Sequence, residues 1–291
     1  MEQALQQKYD TLLDALRGLG SVGVAFSGGV DSTLLLYAAS EALGDGAVAL
    51  TGISPTFPER ERAAAANFCR AHGIRQVTFA TDELDDPNFR HNPENRCYLC
   101  KSNLLGKAIG IARDQGLSAV AEGSNLDDMA DYRPGAQAVA ELHVASPLRQ
   151  ANLTKQDIRD ISHELGLPTW DKPSFACLSS RFAYGELIDE VTLGMIDAAE
   201  QFLMDRGFSQ VRVRVHELGR DQDLARIEIP PADFARFFEN DGAAETERAL
   251  RQIGFTYVTF DLGGYHTGSM NRALSQETKD AQRQATAQAA Q

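Results

Sequence analysis

A glycine-rich turn carries the most specific chemical signal in the chain. Its residues are Ser27-Gly28-Gly29-Val30-Asp31-Ser32, followed by Thr33. Adjacent glycines let the backbone bend tightly and bring N–H groups close to an anion, and the hydroxyls of Ser27, Ser32 and Thr33 are further donors. Asp31 would repel a phosphate unless a divalent cation lies between the two, which predicts Mg²⁺.

The alternative is an ordinary strand-to-helix turn capped by a serine or an aspartate. The context favours phosphate binding, because the apolar run SVGVAF precedes the turn and the helical run LLLYAASEALG follows it. The turn matches neither the Walker sequence G-x-x-x-x-G-K-[ST] nor the dinucleotide sequence G-x-G-x-x-G.

Three cysteines form the second set of candidates. Cys97 and Cys100 make a C-x-x-C pair, and Cys177 lies in the stretch KPSFACLSSR. Four cysteines in 291 residues are too few for a disulfide scaffold, so a C-x-x-C pair indicates metal or redox chemistry. The spacing is compatible with a zinc site that includes His91, or with a redox pair that resolves a persulfide on Cys177. Cys69, in NFCRAHG, is expected to be a buried apolar residue.

The stretch VRVRVH alternates between two faces of a predicted strand. Arg212, Arg214 and His216 share one face, where two arginines can bind a phosphate or a carboxylate. A solvated edge strand is the alternative. Arg181, four residues after Cys177, is a cation that would favour a thiolate or neutralise a phosphate, unless it forms only a surface salt bridge.

The elements that must position these residues divide into two regions. Strands and helices alternate up to residue 168, which predicts an α/β domain with a parallel sheet and helices on both faces. The sequence predicts an active-site loop or linker at residues 169–186, a smaller α+β domain at residues 187–271 and a flexible tail at residues 272–291. Within this scheme the C-x-x-C pair comes immediately before a helix at residues 101–116.

Composition excludes several classes of partner. There are 28 Lys and Arg against 41 Asp and Glu, a formal charge of −13, which disfavours nucleic acid. No apolar run reaches the ~18 residues of a membrane span, and the first residues lack the basic start of a signal peptide. We therefore expect a cytoplasmic protein with no membrane contact.

The glycine-rich turn resembles the PP-loop of the ATP pyrophosphatase superfamily, whose members cleave ATP between the α and β phosphates to adenylate an oxygen. The resemblance implies a doubly wound, adenine nucleotide α hydrolase-like fold. EGSNLDDMADYRPG, residues 122–135, is similar to the superfamily loop that faces the PP-loop across the active site.

The resemblance narrows to the LarE family over roughly residues 5–271. The stretches that carry it are SPLRQANLTKQDIR, LGLPTWDKPSFACLSSRFAYG and QVRVRVHELGRDQDLARIEI. It implies an ATP-dependent sulfurtransferase that converts a carboxylate of a pyridinium dicarboxylate mononucleotide into a thiocarboxylate, for nickel-pincer nucleotide synthesis. Cys177 matches the sulfur-transfer cysteine, Arg212 and Arg214 match the substrate site, and Glu200 and Glu228, in the matching blocks AAEQFL and ARIEI, are candidates to bind a metal or to orient substrate.

The resemblance also bears on the sulfur source. One form of the family sacrifices the cysteine sulfur, and another joins two further cysteines to it to hold a 4Fe-4S cluster. Because this chain has Cys97 and Cys100, we expect the cluster form, with zinc as the alternative metal. It further implies a homo-oligomer assembled through the smaller domain, and the donor that restores sulfide is unknown.

Two rival functions remain at this point. A PP-loop thiolase acting on tRNA also pairs C-x-x-C with a distant cysteine, but the acidic charge opposes it. A nucleotide-binding module with a structural zinc needs no catalysis at all.

Overall fold

The computed structural model describes residues 1–130, 134–173, 176–219, 222–266, 268–269 and 275. Parts of the stretches 122–135, 169–186 and 210–229, and the predicted tail apart from Ser275, lie outside these residues. The α-helices are α1 (Gln3–Leu19), α2 (Val30–Leu43), α3 (Glu59–Ala71), α4 (Pro87–Arg90), α5 (Arg96–Asp114), α6 (Gly135–Glu141), α7 (Pro147–Gln150), α8 (Lys155–Glu164), α9 (Glu190–Asp205), α10 (Phe234–Phe238) and α11 (Gly242–Ile253). The strands are β1 (Val22–Ala25), β2 (Ala47–Ile53), β3 (Arg75–Ala80), β4 (Ala119–Ala121), β5 (Arg212–Glu217), β6 (Asp223–Glu228) and β7 (Tyr257–Phe260).

Strands β1 to β4 form a parallel sheet in the order β3-β2-β1-β4. The chain moves outward from β1 through β2 to β3 and then returns to the other side of β1 as β4. Val22 is thereby paired with both Ala47 and Ala119, and Ala145 extends the sheet beyond β4 through a parallel bridge to Ala121. A reversal of strand order opens a crevice at the carboxyl ends of the two strands that flank it, here β1 and β4. This confirms the predicted α/β class.

Helices cover both faces of the parallel sheet. On one face, α1, α2, α3, α7 and α8 pack around a core that includes Leu12, Leu35 and Ile161. On the other face, α5 and α6 pack around Leu105 and Val139. The sheet is therefore buried on both sides, as the continuous apolar sequence of its strands requires.

The second sheet belongs to a separate core. Strand β5 is antiparallel to β6, and β6 is parallel to β7. Residues from α9, α10 and α11 pack against this sheet, and Phe89 and Leu178, from outside residues 187–271, join the same core. The predicted α+β composition is observed. The domain boundaries at 168 and 186 stay predictions, since the second core draws residues from both sides of them.

A 3₁₀ turn at Pro231–Asp233 leads into the short helix α10. Within the described part of the chain, no helix combines the length and the apolar character that crossing a bilayer demands.

Candidate active site

The glycine-rich turn connects β1 to α2 and is shaped by Gly28. Gly28 has a φ of +70°, a left-handed conformation that favours glycine, and a Cβ there would lie 3.3 Å from the Cβ of Ala65. The Ser27 and Ser32 hydroxyls lie 3.1 Å apart, and the Ser32 hydroxyl donates to the carbonyl of Gly29. The turn thus has the strand–glycine–helix geometry of an anion-binding loop.

Asp31 and Thr33 occupy the first turn of α2. Lys155 Nζ lies 2.5 Å from Asp31 Oδ2, and Asn125 Nδ2 donates to Oδ1 at 3.3 Å. The Asp31 side chain is 25% exposed and lines a cavity, so a carboxylate oxygen is accessible to a hard cation and the residue fits Mg²⁺. Thr33 is fully buried, and its hydroxyl has no hydrogen-bond partner among the described residues.

The segment after β4 lies directly against the glycine-rich turn. A Cβ on Gly123 would come within 3.1 Å of the backbone nitrogen of Ser32. The neighbouring Glu122 is buried and accepts hydrogen bonds from Lys101 and Ser146, each at 2.8 Å. Burial alone would raise the pKa of Glu122, but the charge of Lys101 lowers it below its usual range. Glu122 is therefore an ionised, paired carboxylate that fixes this wall of the crevice.

One cavity of about 410 Å³ joins the two sets of candidate residues. It lies at the carboxyl ends of β1 and β2. Its wall includes Ser27, Asp31 and Ser32 of the turn together with Cys97, Cys100 and Cys177. A phosphate-binding loop and three thiols thus open into the same space.

The position of Cys177 is set by hydrogen bonds from its own segment. Leu178 N donates to the carbonyl of Thr56, just beyond β2, at 2.8 Å. On the other side, Lys172 Nζ donates to the carbonyl of Gly28 at 2.9 Å and to Glu61 at 2.7 Å. The segment is therefore attached both to the glycine-rich turn and to the strand beside it.

The C-x-x-C pair lies inside a helix. The sequence predicts the pair immediately before a helix that starts at residue 101, but α5 starts at Arg96, so Cys97 and Cys100 lie in its first two turns. No helix breaker follows Pro93, which lets the helix begin five residues earlier. Cys97 is exposed and Cys100 is partly buried. Burial raises the pKa of the Cys100 thiol, and the nearby Cys177, Glu83 and Cys97 raise it further.

The three thiols fit a thiophilic metal group in donor type, but their arrangement in this structure does not ligate one. Thiolates are soft donors that bind iron and zinc, and all three converge on one cavity. Within the described residues, no three His, Cys, Asp or Glu side chains stand in a ligating arrangement. His91, the fourth ligand considered for zinc, lines a different pocket with Pro87 and Leu99, and its Nδ1 lies 2.7 Å from the carbonyl of Pro87. The structure therefore gives no support to a zinc site that uses His91.

Arg181 and Glu200 form a fully buried ion pair. Arg181 Nε and Nη2 donate to the two Glu200 oxygens at 2.8 and 2.7 Å. Arg181 Nη1 also donates to the carbonyls of Ala176 and Cys177 at 2.7 and 3.0 Å. The surface salt bridge considered for Arg181 is wrong, because both side chains are fully buried. Burial would raise the pKa of Glu200, but the Arg181 guanidinium lowers it.

The two arginines of β5 are buried as well. Arg214 donates to both oxygens of Glu228 at 3.0 and 2.9 Å and to the carbonyl of Ser180 at 2.6 Å. Arg212 is 3% exposed and lies 5.2 Å from the ring centroid of Tyr265; burial, together with the charge of Arg181, lowers its pKa to about 10. The solvated-edge interpretation is therefore wrong. Neither arginine is among the described residues that line the cavity, so their anion-binding role, like the metal or substrate role of Glu200 and Glu228, stays a prediction.

Sequence reasoning missed several charged residues of the cavity wall. Arg96 and Lys101 flank the cysteine pair, and Glu83 follows β3. One Glu83 oxygen accepts from Ser54 and Thr56, and the other has no partner among the described residues. The pattern R-C-x-x-C-K was a signal for Arg96 and Lys101, since both flank the pair in sequence. Glu83 had no comparable signal.

The amino-acid sequence is similar to those of known proteins over most of its length. No family model matches the chain. An uncharacterized protein of Synechocystis is 42% identical over 271 residues, which cover 93% of this chain and 99% of that protein. Pyridinium-3,5-bisthiocarboxylic acid mononucleotide synthase of Lactiplantibacillus plantarum is 38% identical over 273 residues, 93% of this chain and 96% of the synthase.

A more distant likeness bears on the fold. Argininosuccinate synthase of Haloarcula marismortui is 29% identical over 161 residues, 52% of this chain and 38% of that enzyme. This agrees with the parallel sheet and the glycine-rich turn of a PP-loop fold. Given the extent of its identity to the Lactiplantibacillus synthase, the chain belongs to the LarE family.

Proposed function

We propose that this protein is an ATP-dependent sulfurtransferase of nickel-pincer nucleotide synthesis. It adenylates a carboxylate of pyridinium-3,5-biscarboxylic acid mononucleotide and converts that group into a thiocarboxylate. The proposal rests on one observation: the glycine-rich turn and the three thiols of Cys97, Cys100 and Cys177 line one cavity. The name of the Lactiplantibacillus relative supports the substrate class.

The first half of the reaction belongs to the glycine-rich turn. The N-terminus of α2 and the hydroxyls of Ser27 and Ser32 bind the β and γ phosphates, and Asp31 holds Mg²⁺ beside them. Thr33, which is fully buried, does not line the cavity among the described residues, so its phosphate contact stays a prediction. The substrate carboxylate attacks the α phosphorus, the bond to the β phosphate breaks, and pyrophosphate leaves. The turn acts by positioning and by stabilising the charge that develops at phosphorus.

The second half belongs to the thiols. A sulfur nucleophile attacks the activated carbonyl, the C–O bond to AMP breaks, and a thiocarboxylate and AMP result. Cys97, Cys100 and Cys177 would hold a 4Fe-4S cluster, which would supply the sulfur nucleophile. In the alternative route the Cys177 sulfur displaces AMP to form a thioester, the Cα proton of Cys177 is then lost to a base, the Cβ–S bond breaks, and the thiocarboxylate leaves a dehydroalanine at residue 177. Arg181 positions Cys177 through the backbone carbonyls of Ala176 and Cys177.

The experiment is incubation of anaerobically purified protein with ATP and the dicarboxylate mononucleotide. The proposal predicts AMP and pyrophosphate, formed only when the mononucleotide is present. ADP and inorganic phosphate would rule out adenylation. Cys69→Ser is the matched control for a cysteine substitution, because Cys69 is buried in the core between α3 and the parallel sheet and does not line the cavity.

The intact mass after turnover distinguishes the two sulfur sources. A polypeptide that has lost one sulfur and two hydrogens at Cys177 identifies the sacrificial route. An unchanged mass over several turnovers identifies an external sulfide, and iron and acid-labile sulfide counts on the same sample then identify the group that holds it.

A further inference from the structure

Arg96 connects the two cysteine-bearing segments of the cavity. Its Nη1 donates to the side-chain oxygen of Asn92 and, at 3.0 Å, to the carbonyl of Ser179, two residues after Cys177. Its Nη2 lies 4.0 Å from the sulfur of Cys97. One guanidinium thus reaches the first turn of α5 and the segment that carries Cys177.

Asn92 strengthens the same connection. It is fully buried, and its side-chain nitrogen donates to the carbonyls of Phe182 and Ala183 at 3.3 and 2.6 Å. Arg96 and Asn92 together therefore bind three carbonyls of residues 179–183. Main-chain carbonyls held by a buried fork of N–H donors are fixed in direction as well as in distance.

The Arg96 guanidinium lies close to a cysteine sulfur and has no carboxylate partner among the described residues. The residue is 3% exposed and lines the cavity, yet no Asp or Glu of the described ranges forms an ion pair with it. Burial alone would lower the pKa of Arg96, but the neighbouring thiols of Cys177 and Cys97 raise it. A buried guanidinium without a carboxylate is costly unless another anion balances it. The sulfur of Cys97 lies 4.0 Å from Nη2.

We propose that Arg96 is a positioning residue that holds the Cys177 segment against the start of α5, so that Cys97, Cys100 and Cys177 come together as one three-sulfur site when a thiophilic metal or cluster binds. This inference rests on the proposed function, since it assigns Arg96 to the sulfur half of that reaction.

Cadmium alone tests the proposal without any measurement of activity. The reduced full-length chain is titrated with Cd²⁺, and the intensity of the thiolate-to-cadmium absorption reports how many thiolates bind each ion. Arg96→Met is compared with wild type, with Cys177→Ser, and with Arg113→Met. Arg113 is a matched control because it lies on the same helix and its side chain is 83% exposed. Circular dichroism establishes that each variant is folded.

Wild type and Arg113→Met are expected to show the intensity of three thiolates. Cys177→Ser is expected to show about two thirds of that intensity, since one soft donor of three is gone. Arg96→Met should match Cys177→Ser although all three cysteines are present. Wild-type intensity in folded Arg96→Met would overturn the proposal.

A second variant keeps the test decisive if Arg96→Met does not fold. Arg96→Lys retains the charge, but one ammonium cannot replace the planar fork that reaches Asn92 and Ser179, so its intensity should fall below that of wild type. Full intensity in Arg96→Lys would then overturn the proposal. A wild type that shows only two thiolates per cadmium would remove the three-thiol site of the proposed function itself, an outcome distinct from a failure of Arg96 alone.

Discussion

Arg181→Met is expected to destabilise the fold strongly. Arg181 and Glu200 are both fully buried and share two hydrogen bonds of 2.8 and 2.7 Å, so the substitution leaves a buried carboxylate without its main cation. Breaking a buried pair in this way costs about 3–5 kcal/mol. Glu200 keeps a hydrogen bond from Val213 N at 3.0 Å and a contact with Arg60 at 3.4 Å, which places the expected loss near ~3 kcal/mol.

The pH dependence of this loss follows from the two pKa values of Glu200. In the wild type the Glu200 pKa is lowered, so the pair stabilises the fold above the unfolded pKa, and this stability is lost as the pH falls through the folded pKa. In Arg181→Met, Val213 N and Arg60 offset burial less than Arg181 did, so we expect burial to raise the Glu200 pKa above its unfolded value. The native state then binds more protons than the unfolded state, so the stability of the variant falls as the pH rises. The deficit should be larger at pH 8 than at pH 5.

Urea unfolding followed by circular dichroism measures both effects. The matched comparison is the cycle of Arg181→Met, Glu200→Gln and the double variant, because the double variant removes both charges. The double should cost about 1–3 kcal/mol less than the sum of the single variants, as expected for residues in contact. Single losses below ~1 kcal/mol that add without coupling, as exposed pairs give, would refute the buried pair.

Two further predictions concern the glycine-rich turn and the remaining cysteine. Gly28→Ala should lose at least tenfold in kcat/KM for ATP, because a left-handed alanine costs about 1–2 kcal/mol and its Cβ would press on Ala65. Gly29 has a φ of −78°, so the control variant Gly29→Ala should stay within a few-fold of wild type. Equal kinetics in the two variants would contradict the assigned geometry. Cys69 should resist iodoacetamide at pH 8 in the native protein while Cys97 reacts, because burial raises the Cys69 pKa to about 11 and Cys97 is exposed. Peptide mass spectrometry measures both labelling rates. Equal labelling would show that Cys69 is accessible.

The sequence predicted the parallel sheet and the glycine-rich turn because both are local signals. A short apolar run, two glycines and a helical run follow one another at residues 21–43, and the structure gives β1, the turn at Gly28 and α2. The convergence of Cys177 with the C-x-x-C pair was expected from family resemblance. The hydrogen bonds that produce it, from Lys172 and Leu178, join residues more than a hundred positions apart.

The arginines show why the rest of the site could not be predicted from pattern. The alternation of VRVRVH correctly separated the arginines from the valines, but an alternating strand with one polar face is usually half exposed. Here Arg214 is paired with Glu228 on the neighbouring strand, and Arg181 with Glu200 on α9. A cation becomes a buried residue only when a distant carboxylate is present to balance it, and that partner is set by tertiary structure.

The fate of the carboxylate oxygen tests the central claim most directly. The dicarboxylate mononucleotide is labelled with ¹⁸O in its carboxylates and incubated with ATP, and the AMP formed is analysed by mass spectrometry. If one cavity joins adenylation to sulfur transfer, each AMP carries one ¹⁸O, because the carboxylate oxygen stays on phosphorus when sulfur breaks the C–O bond. Unlabelled AMP, or ADP in its place, would contradict the account.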